Sequence, residues 1–340
     1  LRYMLNVETH CSQSLLNVQA FTDPTAYKLK VKRPGSDESR EVNVDLLEID
    51  GQVDFSFPPP VGSLYVGGRS GTGAMDAQLL LAKWGYKYAD ILRSVVCTMD
   101  THFPFQIFFP LAHLDATTGL NVAPNTVITA QDYKDGKYTP SPAMASELGS
   151  DVNWLRKQFT YYCEQLEMPD PVTGQPKKSL YIWPYHCLIG TPGHALTGVV
   201  QAFRMYHSML KGAFNLPQIK GGSPLTENYS IFAPEVMTRF DGMPIPGASR
   251  NVMLIYRLLS ADMVVMAGLA SSHCVLESVR DFIKHIKSGN AELMKLIGQD
   301  PKFAGTTPDA MLDKVYLMKD CTAAVVIPGI VDFTDSAEEA

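Results

Sequence analysis

The stretch ADMVVMAGLASSHCVLES, residues 261–278, changes character halfway along. Its first half is an apolar, partly β-branched run of strand length. Its second half opens CVLESVRDFIKHIK (274–287), whose apolar residues recur at helical spacing. Between them GLASSH supplies small residues for a tight turn. A buried strand that runs into a helix is half of a βαβ unit. The same pairing recurs outward from here. VDLLEID (44–50), RSVVCTMD (93–100), the short PQIKGG (217–222) and KVYLMKD (314–320) read as further strands. AMDAQLLLAKWGYKYADIL (74–92), HALTGVVQAFRMYHSML (194–210) and SRNVMLIYRLLSA (249–261) read as helices. Strands alternating with helices of this length predict an α/β fold with a parallel sheet covered on both faces. Ligands bind such sheets beyond the carboxyl ends of the strands.

The chain has 340 residues, 46% hydrophobic and 19% charged, which suits a globular protein with a sizeable core. A formal charge of -6 and no Lys/Arg run argue against nucleic acid as a partner. No apolar stretch reaches spanning length, so no membrane segment is expected. The opening LRYMLNVETHCSQ does not read as a signal peptide. Cys11, Cys97, Cys163, Cys187, Cys274 and Cys321 are scattered, without a C-x-x-C pair. That usage predicts free thiols and a cytoplasmic location.

Two regions break the strand–helix rhythm. Residues 1 to about 40 form an N-terminal extension in which KLKVKRPGSDESREV (28–42) reads as a hairpin or arm turning at PGSDES. Residues 111–182, rich in Pro, Gly, Thr and Tyr, read as an insertion carrying one helix, VNWLRKQFTYYCEQL (152–166). They would interrupt a single domain over 41–335. The run VGGRSGTGAMD (66–76) lacks the Gly-Lys-Ser/Thr ending of a phosphate loop and reads as a turn into a helix.

The residues with chemistry cluster at strand ends. In CTMDTHFPFQIFF (97–109), Asp100 and His102 are two apart, and extended backbone points such residues the same way. A carboxylate and an imidazole could thus share a metal ion with a third ligand, for which His186 in WPYHC (183–187) is available. Spacing alone equally allows a solvated aspartate and a half-buried histidine. Asp50 closes an apolar strand, where it could be a general base or simply a turn-former before Gly51. Lys220 ends another short strand, where lysines are usually solvated. Cys274 starts a helix, whose dipole and free N–H groups favour a thiolate and could hold an oxyanion. A buried structural thiol is the plainer reading. His273 reads as a bystander, because sequence neighbours rarely face each other at such a turn, so a base would come from another strand.

Taken together, the order Asp50, Asp100-x-His102, Trp183-Pro-x-His186, Lys220 and Gly268-Leu-Ala-x-x-x-Cys274 resembles the isochorismatase-like cysteine hydrolase superfamily, and within it the nicotinamidases. IDGQVDF, VGSLYVGG, TMDTHFP, WPYHCLIGTPGHAL and IKGGSPLTENYSIF each resemble one of the family's motifs, over roughly 44–110 and 183–320. Thr101 stands where the family usually has tryptophan, and Glu48 falls in a strand that is normally apolar on both faces.

The resemblance implies a three-layer α/β/α sandwich around a mainly parallel sheet of about six strands. It implies Cys274 as nucleophile, Asp50 as the group that takes its proton, and Lys220 as the third member of the triad. The backbone N–H groups of Ala270 and Cys274 would form the oxyanion hole, with a cis peptide between Leu269 and Ala270. Asp100, His102 and His186 would bind one divalent ion, zinc by preference, with iron or manganese as alternatives. Phe55, Trp183 and Tyr229 would line the ring pocket. The implied activity is hydrolysis of nicotinamide to nicotinate and ammonia through a thioester. The alternatives are a relative acting on another small carboxamide or carbamoyl compound, or a non-catalytic binding member. A small-molecule amide is the expected partner, with homo-oligomers common among relatives. His10, His113, His194, His207 and His285 carry no motif.

Overall fold

In the computed structural model, which describes residues 30–32, 39–169 and 178–335, five strands form one sheet. They are β1 (Val44–Ile49), β2 (Leu92–Asp100), β3 (Gln218–Lys220), β4 (Met263–Leu269) and β5 (Val315–Ala323). The order is β5-β4-β1-β2-β3, and every pairing is parallel. Register explains the two apolar faces. Val265, Leu46 and Val95 lie side by side across the sheet, as do Met266, Leu47 and Val96. Because successive side chains point to opposite faces, the first row faces one layer of helices and the second row the other.

Among the described residues five helices share in that packing, α1 (Gly73–Lys87), α3 (Gly198–Lys211), α4 (Val252–Leu259), α5 (Cys274–Lys287) and α6 (Ala291–Gln299), while α2 (Val152–Glu167) packs within the inserted region. Leu81 of α1 and Phe203 of α3 join Leu46, Val95 and Val265 in one core. Ile255 of α4, Phe282 of α5 and Leu293 of α6 join Leu47, Val96 and Met266 in the other. The fold is therefore α/β with helices on both faces of a parallel sheet. Among the described residues, no helix is long and apolar enough to cross a membrane.

Two expectations are corrected. The first helix ends at Lys87 rather than 92, because Leu92 is already the buried first residue of β2. The sheet has five strands among the described residues, not about six. After β5 only residues 324–335 are described, and a parallel crossover needs a dozen or more residues. There Val326–Ile327 instead pairs antiparallel with Val331–Asp332.

In the extension, Lys30–Lys32 pairs antiparallel with Ser39–Glu41, while the turn expected at PGSDES lies mostly outside the described residues, as do His10 and Cys11. Among its described residues, the region 111–182 contributes α2, two shorter α-helices (Ala130–Lys134 and Pro142–Glu147) and two small antiparallel ladders. Ser141 and Asp151 cap two of these helices, accepting from Met144 and Trp154 N–H. Phe159, Tyr162 and Tyr133 from this region pack in one cluster with Phe55 and Trp183, so its core is continuous with the one those two side chains belong to.

Candidate active site

A parallel sheet brings its strand ends to one edge, and four of them deliver Asp50, Asp100, Lys220 and Ala270 there. Asp50 is fully buried and adopts the left-handed conformation, φ 51°. Its N–H donates to Thr98 Oγ1 at 3.1 Å, and that hydroxyl donates to Asp50 Oδ1 at 2.5 Å. Lys220 Nζ lies 3.0 Å from Asp50 Oδ2 and 2.9 Å from Asp100 Oδ1. It also donates to the Asn228 carbonyl at 2.9 Å and to Cys274 Sγ at 3.5 Å. Cys274 Sγ and the two carboxylates lie within 4.8 Å of one another. Cysteine, aspartate and lysine therefore converge on one buried point.

Burial raises the Asp50 pKa, Lys220 opposes the rise, and Asp100 adds to it. The Lys220 ammonium is held charged: burial alone would discharge it, but Asp100 and Asp50 push its pKa well up. For Cys274 the helix start was expected to favour the thiolate. Burial instead pushes the thiol well above its ordinary value, and Lys220 only partly offsets this. The resting thiol keeps its proton, with Asp50 as the neighbouring acceptor. Cys274 is the first residue of α5, where backbone N–H groups have no partner within the helix. His273 and Val275 N–H both donate to the Ala270 carbonyl at 3.0 Å, drawing Ala270 onto the helix start. The Leu269–Ala270 peptide is cis.

Ligand atoms of Asp100, His102 and His186 also lie within 4.8 Å of one another, all three residues buried. His186 donates from Nδ1 to the Pro184 carbonyl at 2.7 Å, leaving Nε2 with its lone pair toward Asp100 Oδ2, 3.8 Å away. His102 Nε2 is 2.9 Å from Asp100 Oδ2, yet among the described residues neither ring nitrogen makes a hydrogen bond of good geometry. Two unpaired nitrogens on a fully buried ring are costly, and a cation is the partner that would satisfy one of them. This donor set fits a divalent metal ion. Burial alone would raise the Asp100 pKa, but the His102 ring and the Lys220 ammonium hold it well below the usual range. Burial and the neighbouring His102 lower the His186 pKa to about 3, so that imidazole is neutral.

Supporting side chains fix these positions. Gln52 accepts from Asp100 N–H at 2.7 Å and donates to the Asp100 carbonyl at 2.8 Å, clamping the end of β2 to the turn after β1. Asp54 accepts from Cys187 N–H at 2.7 Å, anchoring the segment that carries His186. Phe108 and Phe109 meet the His102 ring edge-on at 4.8 and 5.4 Å.

The cavity over this point is lined by Phe55, Asp100, Trp183, His186, Tyr229 and Cys274, among others. Trp183 donates from Nε1 to Tyr229 Oη at 2.9 Å, and Phe55 stands 5.3 Å from the His186 ring. Glu227 and His273 line it too, and the sequence reading had singled out neither as a site residue. Burial raises the Glu227 pKa to about 7. Its only signal was an acidic residue inside the TENYS stretch that follows Lys220. His113, His194, His207 and His285 lie elsewhere, each bonded to a nearby backbone or hydroxyl group.

No protein-family model and no curated protein matches the chain. The solved structures similar to it include nicotinamidases and pyrazinamidases. The yeast nicotinamidase is 16% identical, with 87% of this chain and 94% of that chain covered and a TM-score of 0.46. A nicotinamidase/pyrazinamidase from Acinetobacter baumanii is 18% identical, over 91% of this chain and 92% of that chain, TM-score 0.46. The Pyrococcus horikoshii pyrazinamidase in complex with zinc is 16% identical, over 87% and 90% of the two chains, TM-score 0.39.

Proposed function

We propose that the protein is a cysteine amidohydrolase that converts nicotinamide to nicotinate and ammonia. One observation carries the reading: Cys274, Asp50 and Lys220 meet in a buried pocket, and Asp100, paired with Lys220, joins them to an aspartate–histidine group suited to a metal ion. A structural cysteine needs neither a fully buried carboxylate nor an ammonium beside it.

The chemistry follows from the neighbours. Cys274 gives its proton to Asp50 as Sγ attacks the carboxamide carbon. Lys220 holds Asp50 in place and balances the charge of the Asp50 and Asp100 carboxylates before the proton moves. Backbone N–H groups of Ala270 and Cys274 receive the developing oxyanion. Asp50 returns its proton to the departing ammonia and next takes one from the water that cleaves the thioester. Phe55, Trp183 and Tyr229 enclose the ring. Asp100, His102 and His186 would hold the cation, zinc by its preference for this nitrogen–oxygen set. Bound there, the ion would accept a lone pair from a ring nitrogen and so orient the ring.

The test is ammonia release from nicotinamide by the purified protein, beside Cys274→Ala and a chelated, metal-free sample. Release by the native protein that vanishes in both controls is the expected result. No release by metal-loaded native protein would overturn nicotinamide as the substrate.

A further inference from the structure

One charged side chain of the inserted region lies against the wall of the ring pocket. Lys178 follows the inserted helices, and its N–H donates to the Leu166 carbonyl near the end of α2 at 3.0 Å. Its Nζ is 3.2 Å from Glu235 Oε1, 3.1 Å from Glu277 Oε1 and 4.4 Å from the centre of the Tyr229 ring. Glu277 stands in the first turn of α5, the helix that Cys274 begins. Glu235 and Tyr229 belong to the loop after Lys220, which the Glu235 N–H closes by donating to the Glu227 carbonyl at 2.9 Å. Lys178 thus ties the inserted region to the loop that carries Tyr229 and to the helix of the nucleophile.

These contacts depend on the charge. Burial would discharge the ammonium, but Glu235 and Glu277 raise its pKa, so it stays positive. Glu235 is in the reverse position: burial raises its pKa, Lys178 opposes the rise and Glu277 adds to it. Without the cation, two carboxylates whose side chains are only 11% and 17% exposed would face each other, and their repulsion would push the loop from α5. Tyr229 rides on that loop. Its ring is within cation–π range of the ammonium, and its hydroxyl accepts from Trp183 Nε1 at 2.9 Å. Tyr229 and Trp183 both line the cavity over Cys274, with Lys178 behind that wall.

We propose that Lys178 is a positioning residue for the ring pocket: by joining Glu235 to Glu277 over the Tyr229 ring, it fixes the Tyr229–Trp183 wall to the helix of the nucleophile. Resting on the amidase reading, this assigns Lys178 to substrate binding and not to proton transfer. The loop also reaches Lys220, through the Asn228 carbonyl, but Asp50 and Asp100 hold that ammonium independently of Lys178.

Steady-state kinetics of the metal-loaded protein with nicotinamide test it. Lys178→Met, or Lys178→Gln should the first not fold, is expected to raise KM roughly fivefold or more and leave kcat within about twofold. Lys178→Arg, which keeps the charge, should restore most of that loss. In a Tyr229→Leu background the same loss of charge should move KM by less than about twofold, because the side chain it positions is gone. An unchanged KM, a kcat that falls as far as kcat/KM, no restoration by arginine, or an undiminished effect beside Tyr229→Leu would each overturn the proposal. Should the native protein release no ammonia from nicotinamide, the amidase reading fails separately, and nitrogen NMR of the indole N–H groups decides Lys178. The chain has three tryptophans, so the Trp183 resonance is assigned by its loss in Trp183→Phe. That resonance should shift in the charge-loss variant and return in Lys178→Arg, since the path from Lys178 to Trp183 runs through Tyr229. No shift, or one that arginine does not reverse, overturns the proposal.

Discussion

Asp50 and Lys220 share one short contact but should fail differently when altered. Asp50→Asn removes the proton acceptor while leaving Lys220 paired with Asp100 at 2.9 Å. Activity should fall by about 10³-fold or more with little loss of stability, because a general base supplies roughly 10²–10⁴ and the nucleophile depends on it. Lys220→Met instead strands two buried carboxylates, Asp50 and Asp100, without a counter-charge. That variant should lose activity and also about 3–5 kcal/mol of stability. Ammonia release and urea denaturation of both variants check the pair. Equal stability losses would show that Lys220 does not neutralise both acids. At this scale the meeting of Asp50, Asp100, His102, His186, Lys220 and Cys274 was legible, because each sits in a motif at or near the end of a predicted strand. The sequence was not legible for His273 and Glu227, because the direction of a side chain leaving a loop follows from packing, not spacing.

The elements that hold these residues were readable for a plainer reason. Apolar runs of strand length and 3.6-residue periodicity survive in sequence whenever a segment is buried on two faces or one. Even the three-residue β3 was marked, because Gly221 and Gly222 stop it after Lys220. The region 111–182 was not readable beyond α2, since its short helices and its ladders of two and three residues carry too few residues to show a period. One glycine links element to site. Gly268 in β4 has φ 115°, and a Cβ there would overlap the Ile49 amide and carbonyl of β1. Both the conformation and the close approach require glycine. Gly268→Ala should therefore push β4 from β1 where Gly268 pairs with Ile49, just before Ala270 and Asp50 leave the two strand ends. We expect a loss of roughly 3 kcal/mol or more by urea denaturation, with kcat falling in whatever protein still folds. A variant of native stability and native kcat would show that the strand ends need not be this close.

Over the whole molecule, Glu48 joins the core to the pH dependence of stability. It lies between the sheet and α1, 1% exposed, on the strand that ends just before Asp50. Gln78 Nε2 approaches it at 3.5 Å, while Oε2 has no hydrogen-bond partner among the described residues. Burial, then the charge of Asp50, raises its pKa from 4.5 to about 8. The sign follows from linkage. The folded protein keeps a proton on Glu48 that the unfolded chain releases above its own, lower pKa. Folding is thus progressively penalised as pH rises from about 4.5 to about 8, and the penalty then levels off. Glu48→Gln carries no such proton but fills the same space. It should match the native protein near the lower end of that window and exceed it by about 2–4 kcal/mol at the upper end. Buried histidines act in the opposite sense. His273 and His113, with pKa values lowered to about 3 and about 4, must be charged on unfolding in acid, so they cost stability as pH falls below the ordinary histidine value. Those terms are common to both proteins and cancel in the difference. Thermal unfolding of the two side by side, from mildly acidic to mildly alkaline buffer, isolates Glu48. A gap that widens with pH is the expected result. A constant gap would mean that Glu48 is ionised in the folded core, with a compensating partner for Oε2.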